Sequence, residues 1–555
     1  MVGFKRDRRC CSQTCAVGRR KQKSFALDRK FSFRCDFLLS CCQQINQSQT
    51  TSNPLNESLI QQREEQALKK QRMEKLKALE TAGFCTFAYR WNKTHNAMEL
   101  KTLYDYLSPG EQVTQVGISL AGRIKSKRTF GKLMFLTLED DSGSIQLYVE
   151  QQNLCSGQDS YRCIKSLVDI GDIVGVQGWI KRTDKGELSI VVKDWQMLAK
   201  SLLPLPDKFH GLTDVAKRYR HRHLDMIVNP NVRQVLKQRA HIVSAIRELL
   251  ERKHFVEVET PALHRIAGGA DASPFVTYHE ALDLQLTLRI ATELFLKRCI
   301  VGGFEKVYEI GRVFRNEGIS TRHNPEFTSL ELYEAYKDYQ DMMNLTEELI
   351  QTVAKQVCGT TEIVYMEERI QLGAPFRRVT MNDLVKETIG LDILSYEDLE
   401  TAKRSLAGKK IEGMEMESID SLGKLLSSCF EHCCEKLLIQ PTFVLDYPIE
   451  ISPLAKQHRK DPRLTERFEL YIAGRELANA FSELNDPIEQ RERLMKQLQG
   501  AEQVGKELDE DFLLALEQGM PPTGGMGMGI DRLVMLLTNS SSIRQVIAFP
   551  LLKPE

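Results

Sequence analysis

Residues 313–336 read VFRNEGISTRHNPEFTSLELYEAY, and the rest of the chain is organised around this stretch. Strand side chains alternate in direction, so Val313, Arg315 and Glu317 share one face of a first strand. Phe327, Ser329, Glu331 and Tyr333 share one face of a second, and Gly318 with the polar run Ser320 to Asn324 supplies the loop. Paired antiparallel, the two faces combine into a platform carrying Arg315, Glu317, Phe327, Glu331 and Tyr333. A purely structural hairpin would put apolar residues on at least one face at this density. An aromatic plane, a fixed cation and several carboxylates suit a ligand with an aromatic base, a phosphate and an amine, the outline of ATP beside an amino acid.

At 555 residues the chain is long enough for two or three domains. A formal net charge of +1 gives no global nucleic-acid signal, so any RNA contact must come from local patches. No apolar run approaches the ~20 residues that span a bilayer, and no membrane partner is expected. Cys10, Cys11, Cys15, Cys35, Cys41 and Cys42 crowd the first stretch without zinc-like spacing, which reads as reduced thiols.

Residues 1–55 are basic and acid-poor, with Ser, Gln, Asn and Thr in their second half. They read as a transit peptide to an organelle, chloroplast or mitochondrion; the alternative is a disordered basic arm that binds RNA in a cytoplasmic protein. Residues 56–111 form an N-terminal helical segment, with a charged helix over Glu57 to Glu80 that is either simply solvated or a support for RNA. Over 112–203 short β-branched strands recur, and Asp141-Ser142-Gly143 marks a hairpin; together they predict a small barrel. Residues 204–230 read as a linker, with Pro204 and Pro206 before a basic run. An amphipathic helix over Val232 to Lys253 and the strand FVEVETPAL (255–263) open a second domain, 231–555, with a helix-rich insertion at about 345–440. Gly268-Gly269 reads as a turn or as a close approach to a ligand. In ERFELYIAGRELANAFSELND (466–486) Ala473-Gly474 turns between two strands. Asn479, Phe481 and Glu483 share a face there, and Glu476 joins it only through a bulge near Ala478. In PPTGGMGMGIDRLVMLL (521–537) alternate glycines leave one strand face bare, with Arg532 at the strand–helix junction.

The stretch at 313–336 resembles motif 2 of the class II aminoacyl-tRNA synthetases, in the form found in lysyl-tRNA synthetases of organellar or bacterial-like type. Residues 232–263 resemble motif 1 and residues 521–537 resemble motif 3. The resemblance implies an α+β chain: an N-terminal OB-fold barrel, then a class II catalytic domain whose antiparallel sheet is flanked by helices. It implies a homodimer through motif 1, with ATP, L-lysine and tRNA-Lys as ligands and Mg²⁺ as cofactor. Residue by residue, it assigns Arg315 and Arg532 to catalysis and ATP phosphates, Phe327 to adenine, and Glu317 and His323 to the ATP base and phosphates. Glu469 and Glu476 fall to magnesium. Gly269, Glu293, Glu331, Tyr333, Asn479, Phe481 and Glu483 fall to lysine. Phe135, Gln146 and Glu187 fall to the central anticodon base, although Phe135 alone reads equally as core packing. Arg123, Lys125, Lys127 and Arg128 are candidates for RNA phosphates. Ser273 stands where the family usually has Arg. Glu293, Glu331 and Glu483 favour an ammonium over an aspartate carboxylate, because a buried charge of the wrong sign costs several kcal/mol. Two other readings stay open: a catalytically silent relative, and an enzyme that lysylates a protein.

Overall fold

Alternating strands between residues 112 and 199 close on themselves. In the computed structural model, described over residues 54–554 except 156, 207–211, 374, 407, 410 and 500–506 and with side chains from residue 63, they form a closed barrel. Its strands are β1 (Gln112–Phe130), β2 (Leu133–Glu139), β3 (Ser144–Glu150), β4 (Ile173–Arg182) and β5 (Leu188–Ala199), in the order β1-β2-β3-β5-β4. Met134, Leu136 and Leu138 from β2 and Ile145, Leu147 and Val149 from β3 fill the interior, so period-two alternation turns Phe135, Gln146 and Tyr148 outward. Helix α1 (Pro54–Thr81) docks on this unit through Arg72, whose guanidinium donates to the carbonyls of Ile170, Ser201 and Leu203. The leader reading falls on residues outside those described, save the first two of α1.

The chain divides between Pro204 and Leu205 into two compact units. The second is built on an eight-stranded sheet. Its strands are β6 (Val256–Glu257), β7 (Lys306–Phe314), β8 (Glu326–Ala335), β9 (Arg377–Thr380), β10 (Thr442–Leu445), β11 (Arg467–Ile472), β12 (Arg475–Ser482) and β13 (Thr523–Gly529), in the order β9-β10-β11-β12-β13-β8-β7-β6. The six middle strands are antiparallel; β9 and β6 add to the edges in parallel. The sheet is two-faced. Leu330 and Leu332 of β8, Ala478 and Ala480 of β12, and Met526 and Met528 of β13 are buried on one side. They share a core with helices α2 (Pro230–Arg252), α4 (Tyr339–Cys358) and α5 (Ile530–Leu537). The other side carries the residues singled out above. Helix α3 (Glu293–Val301) packs beside β8 in a smaller cluster. No described helix is long and apolar enough to cross a membrane.

Three sequence expectations change. Strand β7 ends at Phe314, so Arg315 and Glu317 stand in the loop beyond it, not on the strand. The strand expected over 255–263 is broken: Val256 and Glu257 pair in the main sheet, and Leu263 pairs with Leu288 in a separate small sheet. The helix-rich segment 345–440 divides: α4 and the hairpin at 362–371 belong to the main core, and a separate apolar cluster begins at Met381.

The basic run before α2 also has a different use from an open RNA-facing linker. Arg222 is 2% exposed. It pairs with Asp225 at 2.8 Å and donates to the carbonyls of Gln545, Ile547 and Ala548, latching the start of this unit to the C-terminal tail. Removing Arg222 leaves these carbonyls unpaired, while Asp225 keeps Arg218 at 2.9 Å and Asn229 at 2.7 Å. Arg222→Ala is expected to cost about 1–3 kcal/mol, read as a lower urea midpoint for this unit; an unchanged midpoint contradicts the latch.

Candidate active site

The charged face of the sheet floors a cavity of about 450 Å³. All fourteen positions expected at ATP, metal and amino acid line it. Strand alternation places most of them. Phe327, Glu331 and Tyr333 project from β8, with Asn479 and Phe481 from β12 and Glu483 just past its end. Gly525, Gly527 and Gly529 lie between these two rows on β13, opposite Tyr333, Glu331 and Ser329. The chain turns from β11 to β12 through Ala473 and Gly474, both at positive φ, the two-residue turn that matches strand twist. The expected bulge is present: Leu477 is the extra residue between the pairs Leu470↔Ala478 and Tyr471↔Glu476, and it brings Glu476 to the cavity.

One end of the cavity is acidic and closed. Glu293, Glu331 and Glu483 are each at least nine-tenths buried. Burial, and then the charge of Glu293, push the Glu331 carboxyl up to about 7. Its Oε1 accepts from the Thr292 N–H at 3.3 Å, while its Oε2 has no hydrogen-bond partner among the described residues. Lys297, four residues after Glu293 on α3, is fully buried and pairs with both Glu293 and Glu483. Gly269, at φ +84°, closes this end; a Cβ there would lie 3.1 Å from that of Ala291 and 3.3 Å from that of Glu293. The same segment is tied to the loop after β7, because the Asn316 N–H donates to the Ser273 carbonyl at 2.8 Å. That tie uses backbone atoms of Ser273, so the loop is held without a guanidinium at this position.

The other end is basic and open. Arg315 lies over the Phe327 ring, 5.2 Å from its centroid. Glu317 and His323 are exposed on the loop wall. Partial desolvation of the ring against the wall and the charge of Arg532 hold the His323 imidazole below its ordinary value, which favours its neutral form at pH 7. Arg532 donates to the Glu476 carbonyl at 2.6 Å and pairs with its carboxylate at 3.1 Å. Glu469 pairs with Arg467 at 2.6 Å and accepts from the Tyr471 hydroxyl at 2.7 Å. Arg467 also donates to Asn479 at 3.1 Å, so one guanidinium links the two ends. Arg467 and Lys297 are missing from the sequence reading. The signals for both exist: Arg467 shares the strand parity of Glu469, and Lys297 follows Glu293 at i+4 on a helix.

On the barrel, Phe135 is half-buried on the outer face, edge-on to Tyr148 at 5.5 Å and to Phe130 at 6.1 Å. Phe130 is 62% exposed, and Lys181 lies over the Tyr148 ring. Gln146 donates to Ser189 Oγ at 3.0 Å, and Glu187 is exposed beside them. Two expected phosphate ligands serve the barrel itself: Arg123 donates to the Gly171 carbonyl, and Lys127 to the carbonyls of Ile164, Lys165 and Val168.

Residues 214–553 match the family described as tRNA synthetases class II (D, K and N), and residues 118–198 match the OB-fold nucleic acid binding domain. The chain belongs to the class II tRNA synthetases of this D, K and N group. It is 58% identical over 501 residues to a lysine–tRNA ligase of Trichormus variabilis, covering 88% of each chain. It is 57% identical over 489 residues to a lysine–tRNA ligase of Thermosynechococcus vestitus, covering 87% of this chain and 96% of the relative. In a class II synthetase of this group the acidic end is the candidate amino-acid pocket and the basic end the candidate ATP site. The pocket depends on the bare face of β13. A Cβ on Gly525 would fall 1.9 Å from Glu483 Oε1 and 2.5 Å from the Tyr333 ring. Gly525→Ala is expected to raise the amino-acid KM in pyrophosphate exchange by at least about tenfold, in line with the ~1–3 kcal/mol that overpacking costs. The ATP KM should be kept, and an unchanged amino-acid KM would remove Gly525 from the pocket.

Proposed function

We propose that this synthetase activates L-lysine with ATP to lysyl-adenylate and passes the lysyl group to the 3′ end of tRNA-Lys. The observation that carries the substrate choice is the charge at the closed end. Three buried glutamates face it, and the one buried lysine beside them is already paired with two of the three. An aspartate side chain would need an uncommitted cation there; a lysine ammonium needs an acceptor.

In the first step the lysine carboxylate attacks the α-phosphorus of ATP, and pyrophosphate leaves. The work of the protein is alignment and charge stabilisation. Arg315 is assigned to the α-phosphate and the carboxylate, since a guanidinium stays charged and planar. Phe327 stacks the adenine. Glu317 and neutral His323 hold the base and phosphates, and Arg532 holds the γ-phosphate. Asn479, Phe481 and Tyr333 shape the side-chain pocket, with Gly269 and Glu293 at the α-amino end. Glu469 and Glu476 fit Mg²⁺: burial and the charge of Glu476 raise the Glu469 carboxyl, a state that a cation relieves. Hard carboxylate oxygens suit this ion, which is commonly held by one or two carboxylates together with substrate phosphates. When bound, the ion supplies neutralisation of the pyrophosphate oxygens. The adenylate then gives its acyl group to the terminal ribose hydroxyl of tRNA.

Three further assignments complete the proposal. Phe135, Gln146 and Glu187 read the central anticodon base on the barrel, with stacking as the main term. The chain forms a homodimer through motif 1, supported by the open sheet edge at β6 and by Val256 and Leu263, 46% and 49% exposed. Residues 1–55 direct the protein to an organelle, supported by their basic, acid-poor composition. These are checked by preference for tRNA with a UUU or CUU anticodon, by a sedimentation mass of two chains, and by a mature N-terminus beyond Met1; failure of any one removes that assignment alone.

The deciding experiment is amino-acid-dependent exchange of pyrophosphate into ATP. Exchange is expected with lysine and not with aspartate or asparagine, is abolished by EDTA and restored by Mg²⁺, and is lost in Glu483→Gln with ATP binding kept. Exchange with aspartate overturns the lysine reading. With the Glu331 carboxyl near 7, beside Glu293 at the α-amino end, the carboxylate is protonated below that pH and loses its hold on the substrate's α-ammonium. The lysine KM should therefore rise as pH falls through 7, towards about tenfold per pH unit.

A further inference from the structure

Lys297 is a fully buried cation that none of the assignments above employs. Its Nζ lies 2.6 Å from Glu293 Oε1 and forms an ion pair with Glu483 Oε2, joining two carboxylates from different elements, α3 and the end of β12. The rings of Phe481 and Phe512 wall it in, at 5.4 Å and 5.9 Å from Nζ to their centroids. The two oxygens of Glu483 are thereby distinguished. Oε2 faces Lys297. Neither oxygen has a geometric hydrogen bond among the described residues, but Oε2 is engaged in the ion pair while Oε1 lies over Gly525, on the floor of the cavity.

The titratable groups facing this point are Glu293 from α3, Glu331 and Tyr333 from β8, and Glu483 just past β12. The helix packed on the far side, residues 510–517, presents Phe512, and its Glu510 is drawn outward to Arg491. A buried carboxylate without a cation takes up a proton. Burial drives the Glu483 carboxyl upward, and Lys297 is the foremost group opposing that drive. Against its own burial, the charges of Glu293 and Glu483 hold the Lys297 ammonium above its ordinary value.

We infer that Lys297 is a positioning residue for substrate discrimination: by holding one oxygen of Glu293 and one of Glu483, it keeps both carboxylates ionised and aimed, so that Glu483 meets the substrate's side-chain ammonium through its free Oε1. The inference rests on the lysine reading of the pocket. It makes the pocket's selectivity a property of a residue that does not itself touch the substrate. A lysine side chain built into the protein occupies one half of a carboxylate whose other half is reserved for the lysine that is charged onto tRNA.

The test compares binding of lysine with binding of norleucine, which lacks only the ammonium. Both share the α-amino and carboxylate groups, so the titration of Glu331 and any general damage to the site cancel in the ratio. In the wild-type protein the lysine-to-norleucine preference should stay level from about pH 6.5 to 8.5, a range in which the side-chain ammonium of free lysine remains charged. In Lys297→Met the preference at pH 7 should fall by at least about tenfold and then recover as pH rises, because one proton must leave Glu483 for each lysine bound. ATP affinity should be unchanged. A folded Lys297→Met protein with the wild-type preference overturns the inference. If the variant does not fold, the wild-type series decides: a level preference supports it, and one that climbs with pH shows Glu483 titrating unheld and overturns it. If the wild-type protein prefers aspartate to lysine, the lysine reading fails, a result distinct from both.

Discussion

Three carboxylates converge at the closed end of a cavity floored by the sheet, and buried like charges survive only where something offsets them. The offset here is built from parts with separate origins. Helix α3 brings Glu293 and Lys297 one turn apart, β12 delivers Glu483, and β8 delivers Glu331 beside the Thr292 backbone N–H. None of these works alone. The apolar faces of β8, β12 and β13 are buried in one core with α2, α4 and α5, and that core fixes the spacing of the charges on the opposite face. Packing on one side of the sheet therefore sets the electrostatics on the other. The alternation that puts Met526 and Met528 into the core is the same alternation that leaves Gly525, Gly527 and Gly529 beneath the ligand.

Much of this was legible in the chain itself, because period-two patterns carry side-chain direction directly. The parity of Phe327, Glu331 and Tyr333, the shared face of Asn479, Phe481 and Glu483, and the need for a bulge to bring in Glu476 all follow from counting residues along strands. Assigning those positions to ATP or to an amino acid took the family resemblance. Other features resisted because they are tertiary. Where β7 ends depends on its partner, so Arg315 could not be placed beyond the strand from periodicity. Arg222, Arg123 and Lys127 look like surface cations in a sequence; each is instead spent on main-chain carbonyls distant along the chain. A basic residue advertises its charge but not its acceptor.

The two units use aromatic and charged side chains in opposite ways. On the barrel, Phe130, Phe135 and Tyr148 lie on the outer face, where nothing of the barrel's own core needs them. In the sheet unit, Phe481 and Phe512 enclose a cation and separate it from water. The first arrangement is a partly exposed aromatic surface; the second raises the strength of every charge interaction around it by keeping the surroundings apolar.

The strand order carries a consequence for how the protein is made. β13, residues 523–529, is the last strand of the sheet to be synthesised, yet it lies in the middle of the sheet, between β12 and β8. Until it arrives, the two halves of the sheet have no common strand, and their facing edges stay unpaired. The barrel strands, complete by residue 199, have no such wait. A nascent chain of this protein thus carries a closed barrel and a divided sheet until residue 529 has emerged, and the ligand-binding floor comes into being only then.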